Sequence, residues 1–127
     1  MKRFVYLTGF LIILVSSTII AQSDQKNDYE FPDYVGYVND FEDILAKEQV
    51  KKLNEIILDH EHETSNQIAI VTISSYEPFE TLDEYSIRLA NDWGIGQEDK
   101  NNGVLIIFGK KIREIRIEVG KGLENKL

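Results

Sequence analysis

Two stretches of the chain repeat apolar residues at helical spacing. In the first, from Ala46 to about Glu63, apolar side chains recur every three or four residues and charged ones fill the positions between. The second begins at Thr81 and ends at Trp93, followed by Gly94. A threonine with Glu84 three residues later is typical of a helix start, and a glycine after the last apolar position of a helix end. The pattern therefore predicts two amphipathic helices. We interpret Trp93 as a core residue rather than a ligand platform.

Three further stretches have the pattern of strands. Residues 67–73 and 104–108 are almost continuously apolar, which is typical of internal strands covered on both faces. Towards the C-terminus, apolar and charged residues alternate, which predicts an antiparallel strand with its apolar side chains inward and its charged face in water. The apolar set is Ile115, Ile117 and Val119, and the charged set is Glu114, Arg116 and Glu118.

The order strand, helix, strand predicts parallel pairing through a right-handed crossover. The predicted fold class is therefore α/β, with a mixed, mainly parallel sheet flanked by helices in a single α/β sandwich domain. A chain of 127 residues has room for one such domain.

The first residues have the features of a secretory signal peptide. Lys2 and Arg3 precede an uncharged apolar run, residues 4–20, which closes at Ala21. We predict a signal peptide over residues 1–21, a flexible acidic linker over 22–33 and the domain over 34–127. The protein is then exported to the periplasm or the extracellular space. The alternative is an uncleaved membrane anchor, although the run is slightly short for a spanning helix.

The charge balance restricts the partners. The chain has 14 Lys and Arg against 22 Asp and Glu, a net charge of −8. Removal of residues 1–21 takes away Lys2 and Arg3 and no acid, which leaves 12 cations and a net charge of −10. Nucleic acid and anionic lipid are not expected as partners, because both require a basic surface. The chain has no cysteine, which excludes thiolate zinc sites and cysteine nucleophiles.

Five short motifs in the right order resemble the TPM domain. They are Val38-Asn39-Asp40, residues 67–71, Trp93-Gly94-Ile95-Gly96, the junction at residues 102–105, and residues 116–124. The resemblance covers roughly residues 34–127, and the family includes thylakoid-lumen proteins of photosystem II repair and many exported bacterial proteins. It implies further helices after Gly122-Leu123-Glu124, one of which covers the sheet. Because the chain stops at Leu127, we expect one sheet face to be exposed or covered by a partner.

The loop Asp99-Lys100-Asn101-Asn102-Gly103 is the best candidate site. Calcium takes several oxygen ligands from carboxylates, amides and carbonyls, which such a loop can supply. It is not an EF-hand, because Lys110 stands where the twelfth-position glutamate belongs. From the residues alone, a polar turn whose side chains bond their own backbone is the favoured interpretation.

The resemblance to the TPM domain adds weight to calcium, which several members bind. The positions that match the family are Asp40, Asp99, Asn101, Asn102 and Glu124, and two further candidates are Asp92 and Glu118. Our hypothesis is that Asp99 and Asn102 supply oxygens directly and that Asp40 completes the coordination shell.

Three functions follow from these patterns. The first is an exported, calcium-binding TPM module that assists the maintenance or assembly of membrane protein complexes, with another protein or such a complex as partner. The alternative is a metal-dependent acid phosphatase, an activity that the resemblance implies, with Asp99, a bound metal and Arg116 as its parts. From the strand pattern alone, ion pairing is the favoured role for Arg116. The third is a purely structural protein-interaction module.

Overall fold

The computed structural model describes residues 29–126. The predicted signal peptide and residues 22–28 of the predicted linker lie outside this range. The described region holds six elements in the order β1 Val38–Asp40, α1 Lys47–Thr64, β2 Gln67–Thr72, α2 Leu82–Trp93, β3 Gly103–Gly109 and β4 Glu114–Val119.

The four strands form one sheet in the order β1-β2-β3-β4. β1, β2 and β3 are parallel, and β4 pairs antiparallel with β3. Asp40 is in register with Thr72, and Thr72 with Phe108, so the carboxyl ends of the three parallel strands lie level. This mixed, mainly parallel sheet with two helices confirms the predicted α/β class.

The helix boundaries follow from local capping. α1 begins after Ala46, which offers no side-chain oxygen, and the Gln49 side chain instead accepts a 2.8 Å hydrogen bond from the Ala46 amide. It ends at Ser65, which has a left-handed φ of 66°. α2 begins as predicted, because the Thr81 hydroxyl accepts from the Glu84 amide at 3.1 Å.

The two helices cover opposite faces of the sheet. Ile57 of α1 packs against Val38 and Ile70, whereas the buried side chains of α2 pack against Ala69, Val71, Leu105 and Ile107. Successive strand residues point to opposite faces, so these are the two sides of β2. The connections β1-α1-β2 and β2-α2-β3 both step to the next strand in the same direction across the sheet. Because α1 and α2 lie on opposite faces, one connection is right-handed and the other is left-handed. The right-handed rule that we applied holds for only one of them.

The segment before β1 belongs to the folded domain. The Tyr29 ring meets Phe31 and Phe79 edge-on, with centroids 4.8 and 5.0 Å apart. The Trp93 indole donates a 2.7 Å hydrogen bond to the Pro32 carbonyl. Tyr29 and Phe31, which we predicted as part of the linker, thus pack against the core of the domain, because their aromatic rings bury apolar surface.

The orientation of β4 is the reverse of the prediction. Ile115 and Ile117 are 67% and 52% exposed, while the Glu118 side chain is only 18% exposed. The isoleucines share a face with α1, but α1 lies over β1 and β2 and does not reach β4. The face behind them is covered by α2, which offers polar partners to the charged residues.

The result is an apolar surface without a helix over it. We call it the open strip, and it consists of Val104, Ile106, Phe108, Ile115, Ile117 and Val119. We expected one sheet face to be exposed or covered by a partner; among the described residues, α1 covers this face at β1 and β2, and the open strip at β3 and β4 has no helix over it.

Candidate functional site

The predicted calcium ligands lie at two opposite ends of the sheet. Asp40 ends β1 at the carboxyl end of the parallel strands, in register with Phe108 through Thr72. The loop of residues 99–102 precedes Gly103 at the amino end. At 3.3 Å per residue, Gly103 and Phe108 are about 17 Å apart along β3. Asp40 therefore does not complete a shell with Asp99 and Asn102, and that part of the hypothesis is wrong.

Asp40 anchors the chain between β1 and α1. Its carboxylate accepts hydrogen bonds from the amides of Ile44 and Leu45, at 3.2 and 2.9 Å, and from the Thr72 hydroxyl at 2.5 Å. Desolvation acts to raise the pKa of Asp40, but these three hydrogen bonds together outweigh it and hold the pKa below its ordinary value. With its lone pairs engaged in this way, Asp40 has a structural role at the carboxyl end of the sheet.

The Asn102 side chain holds its own loop in place through two hydrogen bonds to the backbone. It is 5% exposed, and its side-chain oxygen accepts from the Gln97 amide at 2.8 Å. Its amide nitrogen donates to the Ser65 carbonyl at 2.8 Å, which ties the loop to the end of α1. The side-chain oxygen that we predicted as a metal ligand is thus directed at a backbone donor, as in the polar-turn interpretation.

Asn101, Glu118 and Glu124 line one groove of about 610 Å³ between α2, β4 and the C-terminal turn. That turn is held over the start of β3, since Gly120 donates to the Gly103 carbonyl at 2.8 Å and Gly122 to that of Asn101 at 3.0 Å. The structure therefore brings three of the predicted residues together. Asp99 and Asp92 are exposed and lie outside the lining of this groove. Among residues 29–126, no three carboxylate or histidine side chains form a metal-binding group.

Arg116 is neutralised by carboxylates. Its guanidinium bonds the Glu118 carboxylate at 2.6 Å and forms an ion pair with Asp83 of α2. Hydrogen bonding to Glu118 raises the pKa of Arg116 above its ordinary value. The same Glu118 oxygen lies 2.9 Å from the Ser86 hydroxyl, which is fully buried. Sequence reasoning foresaw the ion pairing but not Asp83 or Ser86, because the contact depends on which face of β4 α2 covers.

Comparison with known proteins agrees with the observed fold. A family model described as the TPM domain, and named TPM phosphatase, matches residues 38–127. The chain belongs to the TPM domain family.

A solved structure also resembles this TPM domain. It is the solution NMR structure of the N-terminal domain of a protein from P. gingivalis, with 30% sequence identity and a TM-score of 0.63. The match covers 70% of this chain and 56% of that chain, so the present chain spans little more than half the length of that structure. Comparison with curated proteins gave no match.

One pocket of this TPM domain was missed by the sequence analysis. It lies at the amino end of the sheet, has a volume of about 310 Å³, and is lined by Tyr34, Tyr37, Glu61, Gln67, Trp93 and Ile95 among others. We call it the aromatic pocket. Its residues come from four separate segments, so neither periodicity nor spacing relates them. Two signals were available: Tyr34 and Tyr37 shortly before β1, which the apolar pattern of the helices does not explain, and Trp93, which we interpreted as a core residue rather than a ligand platform.

Within residues 29–126, neither helix has both the length and the apolar character needed to cross a bilayer. The apolar run at residues 4–20 lies outside that range.

Proposed function

We propose that this TPM domain is a non-catalytic interaction module that binds an amphipathic helix on the open strip. The observation that carries the proposal is the exposure of Ile115 and Ile117, 67% and 52%, on a sheet face whose other half is covered by α1. Contiguous apolar surface of this kind marks protein interaction sites.

The dimensions of the open strip fit one helix. Two adjacent strands span about 10 Å, and the diameter of a helix with its side chains is also about 10 Å. β3, with seven residues, extends about 23 Å, which corresponds to roughly four helical turns. A helix lying beside α1 would bury the isoleucines of β4 and the Phe108 ring together. This is the ordinary arrangement of two helices on one face of a sheet.

Charge favours an acidic partner. The turn between β3 and β4 carries Lys110, Lys111 and Arg113, all exposed, at one end of the open strip. Lys121 is exposed near the other end. The two ends of the open strip therefore carry exposed positive charge, although the chain as a whole has a net charge of −8. An amphipathic helix with carboxylates flanking its apolar face would complement both ends.

The proposed interaction takes place outside the cytoplasm. The basic start and apolar run at residues 2–20 favour export, as described above, and the family resemblance implies service to membrane protein complexes. We propose that the docked helix belongs to a subunit or assembly partner of such a complex outside the cytoplasm, and that the domain holds it during maintenance or assembly.

Site-specific cross-linking tests the docking proposal. With a photoreactive phenylalanine analogue at Ile117 in cells that express the chain, we expect cross-links to one protein, within a segment of helical apolar periodicity. The matched control places the analogue at Glu114, which is on the same strand but on the other face of the sheet. A second variant, Ile115→Lys with the analogue at Ile117, should abolish the cross-link while the far-ultraviolet circular dichroism stays unchanged, because position 115 is exposed.

Equal cross-linking from position 114 would overturn the proposal. Cross-links within the same polypeptide, or between two copies of it, would overturn it as well, since they would assign the open strip to a further helix of the protein itself or to self-association.

Calcium binding is the second candidate function. It is favoured by one observation, the meeting of Glu118, Glu124 and the Asn101 amide in a single groove, with Asp99 in the adjoining turn. Carboxylate and amide oxygens are suitable calcium ligands, although the Glu118 oxygen already bonded to Arg116 is partly neutralised. The proposed ligands are therefore Glu124 and Asn101 of the groove, together with the exposed Asp99, which lies outside the groove lining two residues before Asn101. Asp40 and Asn102 are left out.

Calorimetric titration of the chain with calcium tests this second candidate. We expect saturable binding that weakens about tenfold or more in Glu124→Gln and in Asp99→Ala, because each loses a charged oxygen ligand. Glu80→Gln, an exposed residue at the other end of the sheet, is the control for the change in net charge. Unchanged affinity in both Glu124→Gln and Asp99→Ala would rule out this site.

The phosphatase alternative is supported by the name of the matching family model. Its proposed parts are less favourably arranged in this chain. Arg116 pairs with two carboxylates, which would repel a phosphate, and it is in register with Ile107, four residues along β3 from Gly103. Asp99, beyond the amino end of the strand, is not placed beside it. We therefore rank this activity below the two binding functions.

A further inference from the structure

We propose that the aromatic pocket binds an organic ammonium group, with three aromatic rings as its walls and the Glu61 carboxylate as its counter-charge. The inference goes beyond the docking proposal, because the pocket lies at the amino end of the sheet and shares no lining residue with the open strip.

The aromatic walls come from separate elements. The rings of Tyr34 and Trp93 meet at an angle of 62° with centroids 5.2 Å apart, so they form a corner rather than a closed stack. Tyr37, directly before β1, supplies a third ring. Ammonium groups are attracted to the faces of such rings by their quadrupoles, most strongly to tryptophan.

The walls are held in place before any ligand arrives. The indole nitrogen of Trp93 donates to the Pro32 carbonyl at 2.7 Å, which fixes the plane of its ring. Gln67 accepts a 2.9 Å hydrogen bond from the Gly96 amide, which secures the loop that forms one side of the pocket. A cage that is already assembled costs little entropy to occupy.

Glu61 gives the pocket a negative charge. It lies in the last turn of α1, and hydrogen bonding to it raises the pKa of Tyr37 above its ordinary value. Desolvation and the charge of Glu61 raise the pKa of Tyr34 as well. Among residues 29–126, no Lys, Arg or His side chain forms an ion pair with Glu61. A carboxylate bordered by phenols and an indole is suited to a cation with apolar substituents.

The size of the pocket limits the ligand. A volume of about 310 Å³ is at the lower end of the range for small-molecule sites, which suits a quaternary or primary ammonium group with a short carbon chain. Such a group can belong to a small metabolite of the choline type or to a lysine side chain of a protein. The shared chemistry is the ammonium, and the test below separates the two sources.

Titration with choline tests the proposal directly, because the single tryptophan of the chain lines the pocket and reports on it. We expect a saturable change in Trp93 fluorescence with choline. The neutral isostere 3,3-dimethylbutan-1-ol should produce a response at least tenfold weaker. Nα-acetyl-lysine amide forms a second arm. Tighter binding than choline assigns the pocket to a protein lysine, and weaker binding assigns it to a small quaternary ammonium compound.

Two variants with the same charge change complete the test. Glu61→Gln should weaken choline binding by about tenfold or more, which corresponds to about 1.4 kcal/mol. Glu63→Gln, an exposed position two residues further on α1, should leave binding unchanged. Equal binding of choline and its neutral isostere, or unchanged binding in Glu61→Gln, would overturn the assignment. Absence of any response to choline or to the lysine derivative in the folded chain would overturn it as well.

Discussion

Gly103→Ala is expected to destabilise the domain by about 3 kcal/mol or more. A Cβ at this position would lie 2.3 Å from the Ile95 carbonyl oxygen and 2.8 Å from the Gly96 nitrogen. The reverse contact is equally close, since a Cβ on Gly96 would lie 2.6 Å from the Gly103 nitrogen. Two backbone segments cross here with no space for a side chain, and neither can move without displacing the start of β3. Urea unfolding followed by circular dichroism measures the loss.

Gly94→Ala is the comparison for this prediction. Gly94 has a φ of 61°, but a Cβ there meets nothing within 4 Å. Its substitution should cost only about 1 kcal/mol, from the left-handed conformation alone. A Gly103→Ala loss no larger than that of Gly94→Ala would show that the backbone crossing is not close-packed in solution.

Asn102→Ala is expected to cost about 2–3 kcal/mol of stability and to leave any calcium affinity unchanged. The substitution leaves the Gln97 amide and the Ser65 carbonyl without their partners in a position that is 5% exposed. Buried groups without partners cost about 1–3 kcal/mol each, and partial access of water reduces the sum. Thermal or urea unfolding gives the stability, and calorimetric titration of the same sample gives the affinity.

The neighbouring Asn101 provides the contrast. It is exposed with a left-handed φ of 47°, a conformation that glycine adopts freely, so Asn101→Gly should change stability by no more than about 0.5 kcal/mol. If Asn102→Ala unfolds as readily as wild type and loses calcium affinity, the assignment of Asn102 as a structural clamp is wrong.

The elements themselves were accessible from the sequence. Helical spacing located α1 and α2, and the Thr81 and Gly94 caps defined both ends of α2. Continuous apolar runs identified β2 and β3 as internal strands, and both do lie between two neighbouring strands. The predicted cover on both faces holds for β2, whereas one face of β3 belongs to the open strip. Local periodicity and capping determine these features, so they could be predicted one segment at a time.

The orientation of β4 could not be predicted in this way. Alternation shows that the two faces of a strand differ, but it does not show which one the protein covers. We assigned water to the charged face, as is usual. In the structure α2 covers that face. Its residues Asp83 and Ser86 supply an ion pair to Arg116 and a hydrogen bond to Glu118, respectively, so the charged face of β4 has polar partners there. The handedness of the crossovers failed for the same reason, since it depends on which face each helix occupies.

The candidate site was only partly predictable. Asn101 and Glu124 do meet in one groove, although 23 positions separate them. Asp40 does not join them, because it follows a strand and the loop at residues 99–102 precedes one, and in parallel strands these are opposite ends of the sheet. That argument was available from the order of the elements. The aromatic pocket was not, since its walls come from segments that only the assembled fold brings together.

Tyr29 lies at one end of the sheet, and the two proposed ligand sites lie at the other. This ring contacts Phe79, just before α2, at the carboxyl end of the sheet. From there the chain runs beside α2 to Tyr34 and Trp93 at the amino end. Tyr29, the first residue that the structure describes, therefore lies at the end of the sheet opposite the aromatic pocket and the Asn101 groove. Ligands of the proposed aromatic pocket and of the proposed calcium groove would therefore approach the domain from the end of the sheet opposite Tyr29.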